Sequence, residues 1–151
     1  MSKEGVRYIC GIDPGVTGGI AFVRGGEVIA IDIPSADGEI DIGAVIDQLK
    51  LFNPTVAFIE RASARPGQGV SSTFNFGAAY GALKACVAAH GVPVHLVSPA
   101  KWKKHFGLDS DKEKSRALAI RLWPRSEAFR RKKDHGRAEA ALIARYGEAR
   151  V

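Results

Sequence analysis

Cysteine is scarce: Cys10 and Cys86 are the only two, far apart and without a CxxC partner or a Cys/His neighbour at ligand spacing. That excludes a disulfide-stapled scaffold and a thiolate metal centre, and leaves two buried free thiols as the expectation. Long apolar runs are lacking too. None approaches the roughly 18 residues of a membrane span, and the opening MSKEGVRYICGID has no signal-like apolar stretch. A soluble, cytoplasmic protein with no membrane partner is expected. Internal repeats, linkers and low-complexity tracts are likewise missing, so residues 1–151 should form one domain around one core. Apolar residues themselves are not in deficit: 46% are hydrophobic and 25% charged, the balance of a chain that folds.

Basic residues are few before residue 101 and dense after it. Residues 101–151 hold fifteen Lys/Arg against seven Asp/Glu, whereas residues 1–100 hold seven against nine, so the net charge of +6 comes from the last third. Clustered cations gain affinity for a polyanion by displacing counterions from its phosphates. A solvated basic face is the alternative reading.

Residues 6–13 read as an apolar strand ending in the turn Pro14-Gly15-Val16-Thr17-Gly18-Gly19. Residues 20–23 resume the strand, and Gly25-Gly26 separates it from a third strand over 27–33. A three-strand antiparallel meander follows from this spacing, then a loop over 34–39. Ile42, Val45, Ile46 and Leu49 share one helical face, closed by Asn53-Pro54. Residues 55–59 form a strand that ends on Glu60. A Gly/Pro/Arg loop over 61–70 leads to a long helix capped by Ser71-Ser72 and running to about Ala89. A fifth strand over 92–97 precedes a short basic helix opened by Pro99. Ser110-Asp111-Lys112-Glu113 has the capping-box pattern for the next helix, with Leu118 and Leu122 apolar and Pro124 as its stop. A last helix runs from Asp134 to about Tyr146. This element order predicts an α/β fold: a mixed five-stranded sheet with helices on both faces.

Asp13 and Glu60 each end an apolar strand, and parallel pairing of the first and fourth strands brings both carboxylates to one sheet edge. Two carboxylates held together repel unless a cation neutralises them, and Mg²⁺ favours a few carboxylate oxygens together with water and phosphate. Each alone also reads as an ordinary strand-end cap. On the last helix His135 and Glu139 are four apart and face the same way, either as ligands or as a solvated pair. Asp134 reads equally as a ligand or as the N-cap of that helix.

Taken together, Ile12-Asp13-Pro14-Gly15 with Thr17-Gly18, Phe58-Ile59-Glu60, Ser98-Pro99 followed by Lys103, Lys112-Glu113-Lys114-Ser115, and Ala138-Glu139-Ala140-Ala141-Leu142-Ile143-Ala144 resemble the RuvC family of Holliday-junction resolvases. The likeness extends over residues 6–146 and points to the small phage- and poxvirus-type members of the RNase H-like superfamily.

The resemblance implies an RNase H-like fold and a four-acid site for two Mg²⁺ ions, with Mn²⁺ able to substitute. It implies paired symmetric nicks by in-line displacement, leaving 5′-phosphate and 3′-hydroxyl ends. By position, Asp13 and Glu60 match the first two acids and Glu139 the last, where the family more often has Asp. The third acid falls on Gly136, which leaves Asp134 or His135 to substitute. On an undistorted helix His135 lies within about 40° of Glu139, and Asp134 about 140° away. Lys103 and Lys114 match lysines placed near the scissile phosphate, Lys103 reading also as a plain phosphate contact. Arg65, Phe74, Lys101, Lys104, Lys112, Arg130, Arg131, Lys132 and Lys133 complete the expected DNA-binding set, Phe74 by stacking on an unpaired base. A homodimer built on the long helix is expected to act on branched DNA, although Phe76, Tyr80 and Leu83 read equally as sheet-packing residues.

Three other activities remain compatible with this reading: a catalytically silent nucleic-acid binder, an RNase H acting on RNA/DNA hybrids, and a sugar-kinase-like or actin-like ATPase suggested by Asp-Pro-Gly-Xaa-Thr-Gly. The ATPase fits poorly, because such proteins pair two domains of this kind around the nucleotide.

Overall fold

The computed structural model describes residues 7–151. Val6, expected to open the first strand, lies outside the described residues. Strands β1 (Ile9–Asp13), β2 (Gly19–Arg24) and β3 (Glu27–Asp32) form the anticipated antiparallel meander. The segment read as a plain loop contains a small hairpin, β4 (Ser35–Ala36) and β5 (Glu39–Ile40). Asp37 and Gly38 at its tip both have positive φ, 55° and 78°, the conformation that a two-residue turn between twisted strands requires. Helix α1 (Ile42–Phe52), strand β6 (Val56–Glu60), helix α2 (Val70–Ala89) and strand β7 (Val94–Val97) follow. Then come α3 (Pro99–Phe106), α4 (Lys112–Leu122), a 3₁₀ turn at Lys132–Asp134, and α5 (His135–Glu148).

The main sheet has the order β3-β2-β1-β6-β7, with β6 and β7 parallel to β1. One face carries α1 and α2 over a core that includes Ile12, Ile20, Phe22, Leu49 and Leu83. The other carries α5 over Val23, Phe58, Trp102, Leu142 and Ile143. Both cysteines are buried free thiols, and burial pushes the Cys10 thiol far above its usual pKa.

Two helix starts differ from expectation by one or two residues. Helix α2 begins at Val70 with Gly69 in the cap position and no side-chain cap, so Ser71 and Ser72 lie in its exposed first turn. Asp111, not Ser110, caps α4 by accepting the Glu113 N–H at 3.0 Å. The buried face of α4 is consequently Ser115 and Ala119, while Leu122 is exposed.

Helix α5 lies unusually close to the sheet because small residues meet at the crossing. A methyl group on Gly11 would sit 2.5 Å from the Ala144 nitrogen, and nearer still to the Ala140 carbonyl. A methyl on Gly19 would meet the Gly136 carbonyl at 2.5 Å. Contact is therefore main chain on main chain, which holds the first turns of α5 over the end of β1.

Candidate active site

The β1–β6 register sets the first two acids. Ile12 pairs with Ile59 as the last rung, so Asp13 and Glu60 emerge side by side where the ladder ends. Glu139, only 3% exposed, comes from the first turns of α5. Their proximity shows in their electrostatics. Burial holds Asp13 well above the ordinary carboxylate range, and the charges of Glu139 and Glu60 add to it against the pull of Lys112 and Lys103. Glu60 is raised first by burial and then by Glu139, while a hydrogen bond from Trp102 and the charges of Lys103 and Lys112 work the other way.

A set of buried and partly buried carboxylates with too few cations is the donor chemistry that a hard divalent ion fits. The buried Nδ1 of His135 lacks a hydrogen-bond partner, as a nitrogen reserved for a ligand would. Among the described residues, no three His, Cys, Asp or Glu side chains form a ready-made cage. The residues fit a cation that would draw them together, with oxygen donors from Asp13, Glu60 and Glu139, whereas His135 acts by its charge on Glu113.

Asp134 is committed elsewhere. Its Oδ2 accepts the Arg131 backbone N–H at 2.8 Å, its Oδ1 takes Nε and Nη2 of Arg131 at 3.1 and 2.9 Å, and Arg137 stands 3.8 Å away. Burial alone would raise its pKa, but the Arg131 hydrogen bonds outweigh that and lower it. Asp134 thus anchors the 3₁₀ turn instead of facing the acids, which corrects its candidacy as a ligand. Gly136 is closed to any side chain: a methyl there would lie 2.8 Å from the Thr17 carbonyl oxygen and 3.0 Å from the Gly18 carbonyl carbon.

No protein-family model matches the chain. It is 28% identical to crossover junction endodeoxyribonuclease RuvC of Corynebacterium efficiens, over 85% of this chain and 63% of the relative. It is 28% identical to the enzyme of the same name from Corynebacterium glutamicum, over 81% and 61%. The chain thus spans less than two thirds of the length of these relatives. Thermus thermophilus RuvC, solved with a Holliday junction substrate, superposes with a TM-score of 0.66 at 17% identity, covering 95% of this chain and 96% of the other. The chain is RuvC-like in sequence and in fold. The yeast mitochondrial Holliday junction resolvase Ydc2 matches less closely, with a TM-score of 0.52 at 21% identity, over 92% of this chain and 76% of that one.

In this RuvC-like chain the lysines divide differently from the sequence expectation. Lys103 does act on Asp13 and Glu60. The second cation at the acids is Lys112, whose Nζ lies 3.6 Å from Glu139 Oε1. Lys114, the residue expected there, is ion-paired with the exposed Asp109. Two positions on a helix turn a side chain by about 200°, and Lys112 shares a face with the buried Ser115 and Ala119, so Lys112 and not Lys114 turns inward.

Trp102 is the residue that sequence reasoning missed: its indole N–H donates to Glu60 Oε2 at 2.8 Å. Its place in the fourth position of a Pro-opened helix just after a strand end was the available signal. Of the remaining candidates, Phe74 is 74% exposed and Arg65, Lys101, Lys104, Lys132 and Lys133 are exposed. Arg130 pairs with Glu127 at 3.5 Å, and Arg131 is partly spent on Asp134. A methyl on Gly15 would stand 3.3 Å from the Phe76 ring, and Leu83 is fully buried on the sheet, as a packing role for that side of α2 requires.

Proposed function

We propose that this chain is a metal-dependent, structure-selective endodeoxyribonuclease that resolves Holliday junctions by paired symmetric nicks, acting in the cytoplasm on branched DNA. The convergence of Asp13, Glu60 and Glu139 under Lys103 and Lys112 carries the reading. Membership of the fold alone would not, since one fold hosts many functions.

A divalent cation in such a site, Mg²⁺ or Mn²⁺, supplies activated water and charge neutralisation at phosphate. The chain's own residues do the rest. Asp13, Glu60 and Glu139 would hold the ion between them, with His135 the candidate for a further donor. Lys103 and Lys112 meet the scissile phosphate and stabilise the negative charge that grows on it. The basic residues on and beyond α3 position the backbone without reading bases. The half-buried pocket limits free water around the reacting phosphate.

Resolution needs two nicks of like polarity, which a two-fold dimer provides. Helix α2 supports this role. Phe74, Gly77, Ala78, Gly81 and Ala85 lie exposed along it, and open space surrounds Gly77 and Gly81. Each helical glycine costs about 1 kcal/mol relative to alanine, and no contact among the described residues repays it; close approach of a second α2 would.

Incubating a labelled four-way junction with Mg²⁺ or Mn²⁺ tests the proposal, with fork and RNA/DNA-hybrid controls. Symmetric nicks are expected, absent in Asp13→Asn and Glu60→Gln, which should keep junction affinity. Wild-type rates in either variant would refute the assignment. One specific observation favours a second reading, a catalytically silent binder: Gly136 is sterically barred from carrying an acid, and the ligands are not pre-caged. Binding without cleavage at any divalent metal would establish it.

A further inference from the structure

Trp102 differs from the other side chains that meet the acids in being uncharged and fully enclosed. Its position follows from the sequence. Glu60 pairs with Val97 at the last rung between β6 and β7, and the Arg61 N–H donates to the Val97 carbonyl at 2.7 Å, tying the two strand ends together. Ser98 then caps α3 by accepting the Lys101 N–H, with Pro99 in the first turn. A helix started so close to Glu60 brings its fourth residue back over β6. There the indole joins the core cluster of Phe58, Val97 and Tyr146, which keeps the ring from swinging away.

Indole nitrogen is a donor only, so it cannot itself bind a cation and has one thing to offer a carboxylate. It donates to Oε2 of Glu60, and among the described residues no hydrogen bond reaches Oε1. We propose that Trp102 is a positioning residue, whose N–H fixes the Glu60 rotamer so that Oε1 is the oxygen presented to the divalent ion. The inference rests on the metal-nuclease reading above. It differs from a purely structural role, in which the buried indole merely needs an acceptor and metal affinity is indifferent to it.

The chain has two tryptophans, so ¹⁵N NMR shows two indole signals, and Trp102→Phe assigns them by loss of one. Glu60→Gln should move the Trp102 signal and leave that of Trp123 in place; an unmoved signal overturns the inference even if Trp102→Phe fails to fold. In folded Trp102→Phe, Mn²⁺ binding measured by the paramagnetic signal of the free ion should weaken by about 10- to 100-fold. Junction binding without metal should be unchanged, and cleavage should be lost at low Mn²⁺ and partly recovered at high. Mn²⁺ affinity equal to the wild type in Trp102→Phe refutes the positioning role and leaves the nuclease reading standing. No Mn²⁺ uptake by the wild type refutes that reading, and the positioning role with it.

Discussion

Replacing Gly11 with alanine tests how the site is held together. The new methyl would stand 2.5 Å from the Ala144 nitrogen and 2.8 Å from its Cβ, with the Ala140 carbonyl closer still. Ordinary contact between such atoms is about 3.5–4.0 Å, so α5 must lift from β1 by about 1 Å. The facing atoms are main chain and cannot rotate aside. The cost should therefore reach or pass the upper end of the usual overpacking range, about 3 kcal/mol. For a chain of this size that lowers the melting temperature by about 6–12 °C. Because Glu139 adjoins Ala140 and Asp13 lies two residues beyond Gly11, the same shift parts the acids, and a displacement of about 1 Å costs on the order of 10²-fold in rate. Calorimetry and single-turnover junction cleavage at a temperature where the variant is folded measure the two effects. Gly43→Ala is the control: it lies in the first turn of α1, and its added methyl meets nothing closer than 3.7 Å, so it should hold or gain stability. A Gly11→Ala protein that melts within about 2 °C of the wild type would refute the backbone-contact argument.

Three other perturbations bear on the acids and the DNA surface. The Asp13 carboxyl holds its proton more tightly when folded than unfolded, so its ionisation subtracts stability as pH rises from about 3.9 through the raised folded value. Without divalent metal, Asp13→Asn should melt higher than the wild type at about pH 7.5, and the difference should vanish near pH 3.5; no gain at the higher pH contradicts the burial argument. Lys112→Ala should slow cleavage by about 10²-fold while Lys114→Ala leaves the rate nearly unchanged, and the reverse order in single-turnover kinetics would reinstate Lys114. Phe74→Ala should weaken branched-DNA binding by about 1–3 kcal/mol without altering the thermal melt, and unchanged affinity in a titration would remove it from the DNA surface.

The meander and the carboxylates at the ends of β1 and β6 are legible in the sequence because each rests on short-range signals. Apolar runs, turn glycines and an acid at the strand end all lie within a few residues of one another. Assigning the partner lysine is harder, since it depends on which face of α4 packs inward, and that face is marked by the small Ser115 and Ala119 and not by Leu122. Asp134 illustrates competition within a sequence: the same carboxylate suits a metal or an arginine three residues back, and the local pairing prevails. Trp102 is hard to read because its contact with Glu60 spans 42 positions, and its place in the first turns of a Pro-opened helix is the one weak signal. The β4–β5 hairpin escapes notice because two paired residues per strand carry no alternation to read.

The lack of a side chain at Gly11, where α5 crosses β1, leaves the site with a fixed gauge. The span from one strand to the helix above is set by the radii of main-chain atoms, and no rotamer change can stretch it. What remains adjustable is the reach of the acids themselves. A glutamate at 139 extends one carbon–carbon bond, about 1.5 Å, further than an aspartate would, so shortening Glu139 is the simplest way for this scaffold to refocus on an ion of different size.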